Sequence, residues 1–197
     1  DTPIALFDAC AQAGVQRVVH ISALGIEGSS TRYAQTKLAA EAHLQTLAAQ
    51  GTLRPAILRP SVVYGKGGDS SALFMNLARL PLALFPGPML TARVQPVSVH
   101  DLAAAVVALL GPALQHTGTI ECTGPEALTM GAFIASLRQQ LGHSPATVLR
   151  LPQPLTTLSA RLGDAVPQSP WCSETLAMLG SDNVGNPAVF EQLLGRK

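Results

Sequence analysis

Two side chains suited to proton transfer stand four residues apart in the first quarter of the sequence. Tyr33 and Lys37 form a Tyr-x-x-x-Lys pair, and this spacing places both side chains on one face of a helix. A phenol has an ordinary pKa of about 10 and is a poor acid or base at neutral pH. Since a neighbouring ammonium favours the phenolate and lowers that pKa, the pair can act as a general acid and base. On a solvated helix face the same pair would have no catalytic role.

The pair lies on a predicted helix between two predicted strands. Residues 15–22 and 55–63 are rich in β-branched and aliphatic side chains, which is typical of buried strands. The helix is predicted from about Arg32 to Gln50, with Ser30 or Thr31 as its N-cap. Helices and strands alternate beyond it, and this order predicts a parallel, doubly wound α/β sheet.

The alternating pattern predicts two parts of unequal size. Residues 1–145 form the sheet-containing domain, with a substrate-side insertion at about 70–100, and residues 146–197 form a small, mostly helical C-terminal lobe. The apolar, proline-containing stretch 77–90 is predicted to be a loop or a short helix. No stretch reaches the ~18 uncharged apolar residues that would suggest a membrane span.

Composition and charge exclude several classes of function. With 47% apolar and 13% charged residues the chain can bury a sizeable core. A net charge of +1 without a basic stripe argues against nucleic-acid binding. The three cysteines are widely separated and form no Cys-x-x-Cys, which favours free thiols in a reducing compartment, such as the cytoplasm, over disulfides or a zinc site. No Gly-x-Ser-x-Gly occurs, so an α/β-hydrolase is excluded.

Two further segments are considered as candidate site residues, one at the end of a predicted strand and one at the start of a predicted helix. The second strand ends in Pro60, Ser61 and Val62 before a glycine turn, which is where a doubly wound sheet binds ligands. An ordinary strand exit would have the same composition. Asp101 is predicted to be the N-cap of an alanine-rich helix, and His100 a loop residue rather than a catalyst.

Several segments together resemble the short-chain dehydrogenase/reductase superfamily, in its extended or atypical branch of NAD-dependent epimerase/dehydratase-like proteins. The likeness covers residues 1 to about 141, in the order found in that family. Within the branch the chain looks most similar to the group of the complex I nucleotide-binding accessory subunit. The segments that carry the resemblance are RVVHISALG, YAQTKLAAE, ILRPSVVYG, VQPVSVHDLAAAV and TIECTGPEALTMGAFI.

This resemblance implies a fold, a cofactor and roles for individual residues. The fold would be the C-terminal portion of a Rossmann-like doubly wound parallel sheet, and the cofactor NAD or NADP. Tyr33 matches the catalytic tyrosine and Lys37 the lysine that contacts the ribose. Pro60, Ser61 and Val62 match the segment that lies against the nicotinamide, and the aspartate of VSVHDLA matches a structural helix-capping residue.

The sequence departs from the family pattern at the catalytic serine. That position falls at Ala23, and Ser22, one residue earlier, is the candidate in its place. On a strand, however, Ser22 faces the opposite side from its neighbour. Ser29, Ser30 and Thr31 are the alternatives.

The second departure is the glycine-rich phosphate loop, since no Gly-x-Gly-x-x-Gly occurs in the chain. A complete family member would need roughly a hundred further residues before Asp1 to supply the βαβ unit that grips the pyrophosphate. We therefore expect this chain alone to bind a dinucleotide poorly.

The predicted function is that of an NAD(P)-dependent oxidoreductase or epimerase-like enzyme acting on a small, rather apolar carbonyl or alcohol. Few cations are available for a substrate pyrophosphate, and Arg93 is the best candidate. The alternative is a non-catalytic NAD(P)H-binding accessory subunit or redox sensor, which Ala23 favours. The choice of NAD or NADP, the oligomeric state and a peripheral association with a membrane stay open.

Overall fold

A computed structural model describes residues 2–111, 116–166 and 171–196. Within these ranges no helix is both long enough and apolar enough to cross a membrane. The elements follow one another along the chain as α1 (Thr2–Gln12), β1 (Arg17–Ile21), α2 (Arg32–Ala49), β2 (Arg54–Pro60), β3 (Val63–Tyr64), α3 (Asp69–Arg79), β4 (Leu82–Pro86), α4 (Gly87–Thr91), β5 (Arg93–Val94), β6 (Val97–Ser98), α5 (Val99–Leu110), β7 (Gly118–Cys122), β8 (Leu128–Thr129), α6 (Met130–Gln140), β9 (Thr147–Leu151), α7 (Gln153–Asp164), α8 (Ser173–Met178) and α9 (Ala188–Leu194).

The chain forms two compact units, each assembled from separated stretches. The first unit comprises residues 1–61, 97–125 and 185–197, and the second comprises residues 62–96 and 126–184. This division differs from the predicted boundary at residue 145. The difference has a packing cause: α6 lies on α3 of the second unit, whereas α9 returns to pack on α5 and β7 of the first.

The first unit is built on a parallel sheet with strand order β1-β2-β7. Val18 and Ile57 pack on one face with Leu44 of α2. Arg17, the residue before Val18 on β1, donates to the carbonyl of Leu109 in α5. Neighbouring strand residues therefore contact helices on opposite sides of the sheet. The predicted doubly wound parallel arrangement is therefore confirmed.

The second unit holds an apolar core around two helices and a two-stranded parallel ladder, β4 with β9. Phe85 of β4 and Phe133 of α6 are buried in this core. The stretch 77–90, predicted as a loop or short helix, contains the short helix α4 and also the strand β4. The strand was not predicted, because β4 is stabilised by a partner more than sixty residues away in sequence, which a local pattern does not reveal.

The start of α5 also differs from expectation. The Ser98 hydroxyl accepts a hydrogen bond from the backbone of His100 and is the N-cap. Asp101 lies in the first turn and pairs with Arg196 of the C-terminal segment. Asp101 is therefore not the N-cap, although it remains a structural residue.

Candidate active site

Tyr33 and Lys37 lie at the carboxyl end of the first strand of the sheet. The Lys37 ammonium donates a 2.9 Å hydrogen bond to the carbonyl of Ile21, the last residue of β1. Its Nζ lies 5.8 Å from the centroid of the Tyr33 ring. The Tyr33 side chain is 39% exposed. The pair thus faces the strand end, which is the geometry that the proposed chemistry requires.

A capped helix start fixes the position of this pair. The Thr31 hydroxyl accepts a 3.2 Å hydrogen bond from the backbone of Ala34, as expected of an N-cap. The Ser29 and Thr31 hydroxyls are 3.0 Å apart, and the Gln35 amide donates to the Ser29 carbonyl. The hydroxyls of Ser29 and Thr31 are therefore engaged in holding the helix start.

Burial governs the ionisation of the pair. It raises the pKa of the Tyr33 phenol. It lowers the pKa of the Lys37 ammonium, and the Glu41 carboxylate opposes that effect. The expected lowering of the tyrosine pKa by Lys37 stays a prediction, since burial raises this pKa and the ammonium donates to the strand carbonyl.

Ser22, the candidate for the catalytic serine, is buried beneath the helix. Only 3% of the residue is exposed, and its buried hydroxyl has no hydrogen-bond partner among the residues that the structure describes. Its backbone donates a 2.7 Å hydrogen bond to Leu58 and extends the sheet. Burial therefore closes the Ser22 hydroxyl to a substrate, and the neighbouring Ala23 offers no hydroxyl.

A buried ion pair that the sequence reasoning missed lies directly behind the Tyr-Lys pair. Glu41 is 2% exposed. Both of its carboxylate oxygens accept from Arg59, at 3.0 and 2.6 Å. Arg59 also donates to the exposed Glu27 at 2.6 Å. Two signals could have revealed this pair: Glu41 follows Lys37 by four residues, and Arg59 is a charged residue in the otherwise apolar stretch 55–60 of β2.

His20 of β1 lies on the same face of the sheet as Arg59 of β2. Its ring packs edge-on against Phe7 with centroids 5.3 Å apart. Burial and the Lys37 charge lower its pKa, and Glu41 opposes them. Its buried Nε2 has no hydrogen-bond partner among the residues that the structure describes.

The three residues that the family resemblance places against the nicotinamide, Pro60, Ser61 and Val62, do not all lie in one unit. Pro60 ends β2 and is buried, and Ser61 is 7% exposed and donates its backbone N–H to the carbonyl of Cys122. Both belong to the first unit, with Tyr33 and Lys37. Val62 begins the second unit and packs against its apolar core.

Arg93 is already paired with a carboxylate. Its guanidinium donates to Asp182 at 2.9 and 2.7 Å, and its backbone N–H donates to the same side chain at 2.8 Å. These hydrogen bonds lower the pKa of Asp182, and the one from the Arg93 backbone contributes most. This geometry does not support the predicted anion site, because a substrate anion would have to displace Asp182.

The second unit contains an open cavity of about 560 Å³ beside the glycine turn 65–68. Phe74 packs edge-on against Phe133, as does Tyr64 on the same ring. The cavity is lined by apolar and aromatic side chains together with two charged ones, Lys66 and Asp69. Its size is in the range of small-molecule sites.

Comparison with known proteins identifies the family. The sequence profile described as "NAD dependent epimerase/dehydratase family" matches residues 2–120. The chain belongs to this family. A comparison with curated proteins found no match, and the narrower likeness to the complex I accessory-subunit group stays a prediction.

Several solved structures share this fold. The UDP-glucuronic acid 4-epimerase from Bacillus cereus, in complex with UDP-glucuronic acid and NAD, has a TM-score of 0.66 at 18% identity over 99% of this chain and 60% of its own. The dTDP-glucose 4,6-dehydratase DesIV from Streptomyces venezuelae, with NAD and DAU bound, has a TM-score of 0.64 at 18% identity over 99% and 59%. The protein gox2253 has a TM-score of 0.65 at 20% identity over 99% and 65%. The chain therefore spans less than two thirds of the length of these structures.

The residues present fit the nicotinamide–ribose half of the family's NAD. Lys37 holds an ammonium at the strand end, and Tyr33 places a partly exposed phenol beside it. Pro60 and Ser61 end the neighbouring strand. The sequence contains no glycine-rich loop for the pyrophosphate half.

Proposed function

We propose that the full-length protein is an NAD(P)-dependent oxidoreductase or epimerase-like enzyme that uses Tyr33 and Lys37 as an acid/base pair. The observation that carries this proposal is the Lys37 hydrogen bond to Ile21, which holds the ammonium at the carboxyl end of β1 with the Tyr33 ring beside it. Ligands of doubly wound sheets bind beyond such strand ends.

Each residue has a defined task in this proposal. Tyr33 exchanges a proton with the substrate oxygen through its phenol oxygen. Lys37 donates hydrogen bonds to ribose hydroxyls, and its charge favours the phenolate once the two groups share a water-poor site. Pro60 and Ser61 border the cofactor ring. When bound, the nicotinamide supplies the redox chemistry by accepting and returning a hydride.

The proposed substrate is a small, rather apolar carbonyl or alcohol. The two enzymes named above act on nucleotide sugars, whose pyrophosphate needs cationic partners. Arg93, the cation that the sequence offers for it, is paired with Asp182.

Replacing Tyr33 by Phe in the full-length protein tests the proposal. We expect turnover to fall at least about 100-fold, with NAD affinity measured by calorimetry unchanged. The alternative, a non-catalytic NAD(P)H-binding subunit, is favoured by Ala23 and by the buried Ser22. It would be supported if the wild-type protein bound NAD(P)H but Tyr33→Phe changed neither turnover nor any other readout.

A second experiment tests the substrate class. Turnover is measured on aliphatic and aromatic ketones and on UDP- and dTDP-sugars. We expect the ketones to be turned over preferentially. Preferential turnover of a nucleotide sugar would contradict the apolar substrate but not the Tyr-Lys pair.

A reducing compartment such as the cytoplasm is part of the proposal. Cys10, Cys122 and Cys172 are all free thiols, which suits such a compartment. Localisation of a tagged protein in the cell, with the thiols trapped by alkylation on lysis, tests it.

A further inference from the structure

We infer that Arg59 and Glu27 are positioning residues for the loop 22–31, which joins β1 to α2. With one guanidinium, Arg59 binds Glu27 of this loop and Glu41 of α2, and so fixes the loop and the helix to each other at the end of β2. The catalytic consequence of this inference rests on the proposed function. The positioning itself can be measured without any turnover.

The first residues of the loop continue the parallel sheet. The backbone N–H of Ser22 donates to the carbonyl of Leu58 at 2.7 Å. The backbone N–H of Leu24 donates to the carbonyl of Pro60 at 2.9 Å, and Leu24 itself is buried. The beginning of the loop is therefore held by β2, the strand that also carries the guanidinium.

The last residues of the loop hold the start of α2. The carbonyl of Ser29 accepts a 2.9 Å hydrogen bond from the side chain of Gln35, and the hydroxyls of Ser29 and Thr31 are 3.0 Å apart. Thr31 in turn caps the helix by accepting from the backbone N–H of Ala34, the residue after Tyr33. A displacement of the loop would therefore be passed to the helical turn that carries the phenol.

Arg59 connects the middle of the loop to the interior. Its Nη1 donates to Oε1 of Glu27 at 2.6 Å, and the Glu27 side chain is 73% exposed. Its Nε and Nη2 donate to the two oxygens of Glu41 at 3.0 and 2.6 Å, and that side chain is 3% exposed. Since the donors of a guanidinium are fixed in one plane, the buried Glu41 sets the direction in which Nη1 is presented to the loop.

The exposure of Glu27 makes its contact separable from folding. An exposed carboxylate contributes little to stability through an ion pair, whereas removal of Glu41 would take the main partner from a buried cation. Replacing Glu27 by Ala therefore releases the loop and leaves the buried pair intact. A loss of activity in this variant would reflect the position of the loop rather than unfolding.

Hydrogen exchange in the full-length protein, followed by NMR, tests the positioning. In Glu27→Ala we expect the backbone N–H groups of Ser29 and Ala34 to exchange about two- to fivefold faster, the size that the loss of an exposed ion pair implies. Both groups donate hydrogen bonds within the loop or at its junction with α2. The N–H of Ser22, which is bonded to β2, should exchange as in the wild type.

Asp8→Ala is the matched control. Asp8 is a partly exposed acid that also contacts α2 at 2.6 Å, but through His43 instead of the loop. It should leave the exchange of Ser29 and Ala34 unchanged. Wild-type exchange at these two groups in Glu27→Ala would overturn the inference, as would an equal acceleration in Asp8→Ala.

A second variant, Arg59→Lys, tests the geometry of the guanidinium. Lysine keeps the charge but has a single nitrogen, so it cannot bind both carboxylates in this arrangement. We expect Ser29 and Ala34 to exchange faster in this variant as well, and wild-type exchange would contradict the inference. If Arg59→Lys does not fold, Glu27→Ala still decides the question, because it leaves the buried pair in place.

The catalytic arm separates this inference from the proposed function. In the full-length protein, Glu27→Ala should lower kcat about tenfold and leave KM unchanged, because a displaced phenol impairs proton transfer and not substrate binding. Glu27→Gln keeps an acceptor oxygen for Arg59 and should retain more of kcat. Faster exchange in a protein without turnover would sustain the inference and contradict the proposed enzyme. Turnover that is lost in Tyr33→Phe, with kcat and exchange both unchanged in Glu27→Ala, would do the reverse.

Discussion

Each of the two units contains an arginine that donates hydrogen bonds to a carboxylate from two guanidinium nitrogens. One of these pairs is buried, and the other is exposed to solvent. In Arg59–Glu41 of the first unit the side chains are 14% and 3% exposed. In Arg93–Asp182 of the second unit they are 58% and 44% exposed. Arg59 donates to both oxygens of Glu41, whereas both guanidinium nitrogens of Arg93 donate to one oxygen of Asp182. Burial is the larger difference between the pairs. The first pair ties α2 to the end of β2, and the second fastens the segment at Asn183 onto β5.

The largest loss of activity is expected when Lys37 of the first unit is replaced, in comparison with an ordinary surface cation. Lys37→Met in the full-length protein should lower turnover by about 10² to 10⁴ and weaken NAD binding by roughly tenfold or more, since a charged hydrogen bond is lost. Steady-state kinetics and calorimetry measure both. Arg79→Met, at an exposed residue bonded to Asn76, is the control. Equal losses of turnover and NAD binding in both variants would show that Lys37 has no role beyond that of a surface cation.

Breaking each ion pair tests the contrast in burial. Glu41→Ala should lower the free energy of unfolding by about 3–5 kcal/mol, because the buried Arg59 loses its main partner and keeps only the exposed Glu27. Asp182→Ala should leave it unchanged within error, because exposed pairs contribute little. Urea denaturation of the two variants gives the comparison. Similar losses would show that burial does not distinguish the pairs.

The stability of the buried pair should depend on pH with a defined sign. The pKa of Glu41 is lowered in the folded protein, so its contribution is complete above the ordinary unfolded value of about 4.3 and is lost as pH falls through the folded value. Wild-type protein should therefore lose more unfolding free energy below about pH 4 than Glu41→Gln/Arg59→Met does. Parallel curves for the two proteins would contradict this.

The smallest effect concerns thiol reactivity in the two units. Burial raises the pKa of Cys122 to about 12, and the residue is fully buried in the sheet, so it should resist iodoacetamide at pH 8 until the protein unfolds. Cys172, a partly exposed helix cap in the second unit, should react in the folded protein. Mass spectrometry of alkylated peptides distinguishes them, and rapid labelling of Cys122 would mean that the first unit opens readily.

Local patterns were sufficient for several elements of the first unit, although they missed the Glu41–Arg59 pair and misplaced the N-cap of α5. The capped start of α2, the apolar strand β2 and the Tyr33–Lys37 spacing are all encoded within a few residues, and the structure places them as expected. The strand β4 was missed because its partner β9 is distant in sequence.

The candidate site shows the same limit. Residue spacing indicated which side chains share a helix face, but not how deeply each is buried. Burial decides that the phenol pKa of Tyr33 rises rather than falls. It also decides that the Ser22 hydroxyl is closed to a substrate. The pairing of Arg93 depends on a residue 89 positions away and could not be read from local sequence.

The central claim is that Lys37, at the end of β1, faces the place where the nicotinamide ribose binds. Titration of NAD into the full-length protein labelled with ¹³C at lysine Cε tests this directly. The account predicts that the Lys37 resonance moves in step with NAD binding measured by calorimetry. A Lys37 resonance that stays unchanged at saturating NAD would contradict it.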